Sequence, residues 1–248
     1  GSTLFLLLAS LLANYGWRYP FLVYLFAIPM AFLIYFLPEP MQNEQETQPV
    51  KDKNEKNISL LKILTIYFFT FTGMVLFYVI PTQSVFLIEE VTHYQSSFFQ
   101  GLGVVVTTLF AALTSIFFGR IKVRLTYLSI YAVSFGIMGL SFFVIAFSES
   151  YNAILGGHML TGLGAGLLIP NGNTWLMELS SRQNRGSMLG IMTSVLFLGQ
   201  FSSPVIASPL LKNGSVVGIF IGGGFFQVSI MILIVNHIIW SNRRSMAG

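Results

Sequence analysis

Long apolar segments separated by short polar turns follow one another along the chain. Each segment is close to the length of about 20 residues that an α-helix needs to cross a lipid bilayer. The pattern therefore predicts complete membrane-spanning helices over residues 20–37, 61–88, 98–118, 126–147, 153–177, 187–211 and 216–240.

A shorter apolar block, residues 2–13, precedes these segments. It lacks the basic start and the small-residue cleavage site of a secretory signal peptide, and the chain opens with Gly1 rather than Met. We interpret this block as the end of a further transmembrane helix, and the chain as a fragment of a longer protein.

Composition supports an all-α membrane protein. Of the 248 residues, 54% are hydrophobic and 9% are charged, which is more apolar surface than a soluble domain of this length can bury. The chain has no cysteine, which excludes disulfides, thiolate metal sites and cysteine nucleophiles within it. His93, His158 and His237 do not have the spacing of metal ligands, so we expect neither a metal nor a cofactor.

Residues 38–57 form the one long polar segment, rich in Gln, Glu, Asn, Lys and Pro, and we interpret it as a flexible linker. It divides the chain into the end of one helical unit (1–37), a linker region (38–60) and a six-helix unit (61–248).

If the linker is cytoplasmic and every segment crosses once, all Lys and Arg residues except Arg18 and Lys212 face the cytoplasm. This agrees with the positive-inside rule and places the C-terminus inside. The basic residues lie in short turns, not in one patch, so nucleic acid is not an expected partner.

The two units show a weak internal repeat. Residues 1–16 align with residues 199–214, with identities at the positions of Gly1, Ala9, Ser10, Leu12 and Gly16. The alignment superposes the first block on the fifth helix of the six-helix unit, which is the parallel-repeat plan of one class of secondary transporters.

Several motifs carry a family resemblance. They are GWRYPF at 16–21, LPEP at 37–40, GR at 119–120 with a second Arg at 124, RGSMLG at 185–190 and FLGQFSSP at 197–204. The chain resembles a transporter of the major facilitator superfamily, of the drug-efflux type, and the resemblance implies helices five to twelve of a twelve-helix bundle. Val123 stands where the family motif has Asp, and Thr126 where it has Gly. The antiporter signature of helix five is absent, because Leu4, Phe5, Leu8 and Ala9 occupy its positions.

The resemblance places the substrate cavity mainly on helices seven and ten, with parts of eight and eleven. Polar and aromatic residues there give the candidate cavity residues Tyr78, Gln83, Gln100, Asn171, Asn173 and Gln200. The alternative is that these amides and hydroxyls hold helices together. We interpret Gly186, Gly190 and Gly199 as small residues that allow close packing of helices. Gly162 and Gly166, four residues apart, suggest another such contact.

A candidate cytoplasmic gate consists of Arg120, Arg124, Glu178 and Arg185. The alternative is that these are topology charges with incidental solvated pairing. No complete span carries a carboxylate at its middle, so we expect any proton coupling to use an acidic residue outside this chain.

Taken together, the sequence predicts proton-coupled export of hydrophobic or amphipathic small molecules by a monomer in the plasma membrane. The alternatives are uptake or facilitated diffusion of a sugar or organic acid, or a transporter-like sensor or enzyme. An enzyme would need Asp, Glu, His or Lys clustered at one membrane depth, and the sequence shows no such cluster.

Overall fold

The computed structural model describes residues 2–29, 32, 59–92, 97–213 and 215–247, and this part of the chain is helical without strands. A 3-10 helix, Tyr19–Phe26, follows the first α-helix. The α-helices are α1 (Ser2–Ala13), α2 (Leu60–Thr92), α3 (Ser97–Arg124), α4 (Tyr127–Ala146), α5 (Tyr151–Leu179), α6 (Arg185–Asn213) and α7 (Val216–Ala247).

Helices α2 to α7 are each long and apolar enough to cross a membrane, which confirms six of the predicted spans. Most of them extend a few residues beyond the predicted bounds, because polar residues at the turns continue the helical hydrogen bonding. The remaining predicted span, 20–37, is described only at residues 20–29 and 32. Its described beginning is a 3-10 helix with Pro20 in the first turn. The predicted linker, 38–57, lies wholly outside the described residues.

Hydroxyl side chains define the starts of α4 and α5. The Thr126 hydroxyl accepts a hydrogen bond from the Ser129 N–H at 3.2 Å, and the Ser150 hydroxyl accepts one from the Ala153 N–H at 3.4 Å. Each satisfies a backbone donor that the first turn of a helix leaves unpaired. Thr126, which replaces the family glycine, is therefore the N-cap of α4.

Helix α5 is the centre of the bundle. It packs against α3, α4 and α2, while α7 packs on α4, α6 packs on α2, and α1 packs on α3. The Tyr67 hydroxyl donates to the Met188 carbonyl at 3.0 Å and joins the N-terminal half of α2 to the first turn of α6. The largest fully buried side chains lie on α2, α4, α5 and α7, and they include Ile80, Tyr131, Phe142, Ile154 and Phe220.

The glycines of α5 allow the closest backbone approach in the bundle. A Cβ atom at Gly162 would lie 2.8 Å from the Phe110 Cβ, and one at Gly166 would lie 2.9 Å from the Ala111 Cα. Both predicted packing glycines of α5 are therefore confirmed. In α6 the prediction holds for Gly199, where a Cβ would lie 2.7 Å from the Phe71 carbonyl oxygen. For Gly186 and Gly190 it stays a prediction, since no described atom would lie within 4 Å of a Cβ there.

Candidate functional site

A crevice opens between α2 and α3, with α5 forming its rear wall and Met138 of α4 its floor. Its volume is about 280 Å³. The lining residues are Gly73, Met74, Phe77, Thr108, Ala111, Ala112, Ser115, Met138, Ala165, Gly166, Leu168, Ile169 and Pro170. None of these residues carries a charge, so the crevice is an uncharged, largely apolar space inside the helical bundle.

The two hydroxyl groups in this wall already donate to backbone carbonyls. Thr108 donates to the Val104 carbonyl at 2.8 Å, and the Ser115 hydroxyl lies 2.8 Å from the Ala111 and Gly166 carbonyls. Their protons are therefore not available to a ligand. A pocket without free donors or charges selects for apolar groups, because a buried polar group without a partner is costly.

Small residues set the size of the crevice. Ala112 on α3 and Ala165 on α5 lie in its lining, and Gly73 on α2 allows the side chain of Leu168 to approach. A Cβ at Gly73 would lie 3.0 Å from the Leu168 Cδ2 atom, so this glycine serves the packing of α2 on α5. Ala112 lines the crevice and is exposed, so a larger side chain at this position would enter the space of the crevice.

None of the six predicted cavity residues lines the crevice. Tyr78 follows the lining residue Phe77, and Asn171 follows Pro170, but consecutive residues of a helix point about 100° apart. Tyr78, Gln100, Asn173 and Gln200 are half-buried. Five of the six predicted residues lie on α2, α3 and α5, whose small and apolar residues form the wall, and their role in a substrate cavity stays a prediction. The available signal was the run of small residues on these helices.

Asn171 is fully buried and joins two helices. Its amide nitrogen donates to the Tyr127 carbonyl at 3.0 Å, which ties α5 to the first turn of α4. Among the described residues, its amide oxygen, the Tyr131 hydroxyl and the Gln83 amide oxygen are buried without a hydrogen-bond partner. Asn171 therefore has a packing contact in addition to the cavity role that the sequence predicts.

The ends of the helices at Leu60, Arg124, Tyr127, Leu179, Arg185 and Ala247 lie on the same side of the bundle, which we name the basic end. Here the Tyr127 hydroxyl donates to a carboxylate oxygen of Glu178. The Tyr127 ring stacks on Trp175 with centroids 5.3 Å apart, and the Lys122 ammonium lies 3.8 Å from the Tyr127 centroid. These four residues, Lys122, Tyr127, Trp175 and Glu178, form the Tyr127 cluster and connect α3, α4 and α5.

The predicted gate residues share the basic end but make separate contacts. Arg185 donates to the Met177 carbonyl at 3.3 Å, and the Arg120 guanidinium lies 5.5 Å from the Phe117 centroid. Within the described part of the chain, no ion pair joins Glu178 to Arg120, Arg124 or Arg185. The carboxylate instead bonds to Tyr127. Sequence reasoning missed Tyr127 and Lys122, although antiparallel neighbours place the start of α4 beside the end of α5.

His158 fills a close contact between α5 and α3. It is fully buried, and its Nδ1 atom lies 2.9 Å from the Thr107 hydroxyl. A Cβ at Gly103 would lie 2.8 Å from the imidazole, so the glycine makes room for the ring. Among the described residues, no group of three His, Cys, Asp or Glu side chains could hold a metal ion.

Two solved structures share this fold. One is a POT family transporter in complex with 5-aminolevulinic acid, with 17% identity, a TM-score of 0.56 and coverage of 73% of this chain and 42% of that chain. The other is a POT family transporter in complex with a thioalcohol-conjugated peptide, with 16% identity, a TM-score of 0.57 and coverage of 77% and 44%. The chain thus spans less than half the length of either transporter.

A comparison with curated protein sequences gave no match. The sequence model described as Major Facilitator Superfamily matches residues 64–244, which extend from the first turns of α2 to the end of α7. The chain belongs to the major facilitator superfamily.

Proposed function

We propose that the protein is a secondary transporter that exports hydrophobic or amphipathic small molecules by alternating access, driven by a proton gradient. Family membership supports transport as the activity. In transporters built from two helical units, the substrate site lies near the middle of the membrane at the interface of the units.

The observation that carries the choice of substrate is the uncharged crevice between α2, α3 and α5. Its wall offers Met74, Phe77 and Ile169 as contacts and no free hydrogen-bond donor. A sugar or an organic acid requires donors or a fixed positive charge, since its polar groups would otherwise lose their bonds to water. We therefore favour an apolar or amphipathic substrate over these nutrients.

The Tyr127 cluster supports a gate at the basic end. It joins α3, α4 and α5 through one charge-assisted hydrogen bond, one ring stack and one cation–π contact. Such contacts are worth about 0.5–3 kcal/mol each. This is the range needed to bias two conformations of similar free energy. We propose that Glu178 holds the gate through Tyr127 in one conformation, and that Arg120, Arg124 and Arg185 supply alternative partners in the other.

The proposal places the basic end in the cytoplasm, in accordance with the positive-inside rule. The linker and the C-terminus are then cytoplasmic, and the protein is a multi-pass plasma membrane protein that acts as a monomer. The described spans carry their carboxylates, Glu89, Glu90 and Glu178, only near their ends. We therefore place the proton-coupling carboxylate outside the described residues.

Transport of Nile red, an uncharged aromatic dye, tests the proposal. Cells that express the longer protein of which we interpret this chain as a part should expel the dye, and a protonophore should abolish the expulsion, whereas this chain alone should not transport it because one helical unit is incomplete. Ala112→Trp, which fills the crevice, should lower the rate about tenfold, because substrate binding loses most of its apolar contact. Leu113→Trp is the matched control, since Leu113 lies on the same helix and is 49% exposed but does not line the crevice. Equal rates in the two variants would contradict the proposal.

A further inference from the structure

One exposed face of α7 changes from apolar to basic along its length. Helix α7 packs its other face on α4, so this face points away from the bundle. The exposed apolar residues of this face are Phe225, Phe226, Ile232, Leu233, Ile239 and Trp240, with Ser229 and Asn236 between them, and Arg243 and Arg244 follow. An apolar stripe that ends in tryptophan and arginine is typical of a surface that passes from the hydrocarbon region to the headgroups of a membrane.

The dimensions agree with one leaflet of a bilayer. From Leu233 to Arg244, the helix rises roughly 16 Å at about 1.5 Å per residue. Half of the hydrocarbon thickness of a bilayer is about 15 Å. When Leu233 lies near the middle of the membrane, Arg244 therefore lies at the edge of the hydrocarbon region, next to the headgroups, and Trp240 lies roughly one turn deeper.

Arg244 is held in one orientation by Trp240. The central carbon of its guanidinium lies 3.6 Å from the Trp240 centroid, and the ring of His237 lies 6.3 Å from the same centroid. Stacking occupies one face of the guanidinium and leaves its in-plane N–H donors free. Among the described residues, none of these donors has a hydrogen-bond acceptor. A planar fork of free donors fits two oxygens of a phosphate group.

The charge of this region favours an anion. Arg243 and Arg244 are adjacent and exposed. At the basic end, the one carboxylate among the described residues is Glu178, and it is bonded to Tyr127. The other described carboxylates, Glu89, Glu90 and Glu149, lie at the opposite end of the bundle. The arginines of α7 are therefore not neutralised by the part of the protein that the structure describes.

We propose that Trp240, Arg243 and Arg244 form a binding site for the headgroup of an anionic phospholipid, whose acyl chains lie along Leu233 and Ile239. The guanidinium of Arg244 binds the phosphate, and Trp240 positions the guanidinium. The site is separate from the crevice, and it does not depend on the proposed transport function.

Native mass spectrometry of the protein from nanodiscs that contain phosphatidylglycerol and phosphatidylcholine in equal amounts tests this site. We expect phosphatidylglycerol to stay bound preferentially. Arg244→Gln should lower its retention about tenfold, because the phosphate loses its charge-assisted hydrogen bonds to the guanidinium. Arg182→Gln removes an exposed arginine at the same end that stacks on no aromatic ring of the described residues, and it should lower retention much less.

Two further measurements distinguish the proposed site from nonspecific electrostatic attraction between the basic end and anionic lipids. Arg244→Lys keeps the charge but loses the planar fork, so it should give intermediate retention. Excess inorganic phosphate should not release the lipid, because the acyl chains contribute to binding. Equal losses in Arg182→Gln and Arg244→Gln would overturn the proposal. So would equal retention of phosphatidylcholine, or no loss in Arg244→Gln with the helical content of the variant intact.

Discussion

Helices α5 and α6 have the same length, 29 residues, and both contain glycines and proline, yet they differ in their surroundings. Helix α5 packs against three neighbours, and 50% of the residues in its most apolar 18-residue stretch are buried. Helix α6 packs mainly on α2, and 17% of the residues in the corresponding stretch are buried. Small residues in a transmembrane helix therefore indicate close packing only where another helix is present on that face.

The glycines of α5 and α6 differ in the space around them. Gly162 and Gly166 face the backbone of α3 over two successive turns, so a side chain there has no room. In α6, Gly199 faces α2, whereas Gly186 and Gly190 have no close neighbour among the described residues. Interhelical contact in lipid depends on such close approach, because apolar side chains gain little by leaving lipid for another helix.

The largest effect is expected from matched leucine substitutions of these glycines. Gly166→Leu should destabilise the protein by about 3 kcal/mol or more, because the side chain would overlap the backbone of α3 at Ala111. Gly190→Leu should be neutral or slightly stabilising, since it adds helix propensity in open space. Thermal unfolding in detergent measures both. Similar unfolding temperatures of the two variants would refute the proposed difference between α5 and α6.

A smaller difference is expected for two amides. Asn171→Ala should cost about 1–3 kcal/mol, because it removes a buried hydrogen bond to the Tyr127 carbonyl. Gln200→Ala should cost less than about 0.5 kcal/mol, since Gln200 is half-buried on α6. If Gln200 contributes to substrate binding, its substitution will change substrate affinity without a change in stability. Unfolding and dye binding, measured in parallel, separate these two outcomes.

The smallest effect is expected from substitutions of the charged residues where α5 ends and α6 begins. Glu178→Gln should slow transport severalfold with substrate affinity nearly intact, because it weakens the Tyr127 cluster that we propose as a gate. Arg185→Gln should have less effect, since Arg185 contacts a single carbonyl at 3.3 Å. Transport rates and equilibrium binding must be measured separately. A tenfold loss of affinity in Glu178→Gln at an unchanged rate would contradict the gate.

The sequence predicted the six described spans because bilayer thickness alone sets their lengths. It also predicted Gly162, Gly166 and Gly199 as packing residues, as well as the position of Glu178 at a helix end. It did not predict the partner of Glu178, because Tyr127 lies far away in the sequence and only helix packing brings it close. It also did not identify the crevice wall, since Ala112 and Ala165 have no chemistry that distinguishes them from other small residues of a transmembrane helix.

The central claim is that the crevice between α2, α3 and α5 binds an apolar group. Photolabelling of the protein in nanodiscs with an uncharged aryl diazirine, followed by peptide mapping, tests it most directly. We predict saturable labelling at Met74, Phe77 and Met138 that Ala112→Trp abolishes and Leu113→Trp does not. Labelling that is not saturable, or that is confined to lipid-facing residues such as Phe201 and Leu233, would contradict the claim.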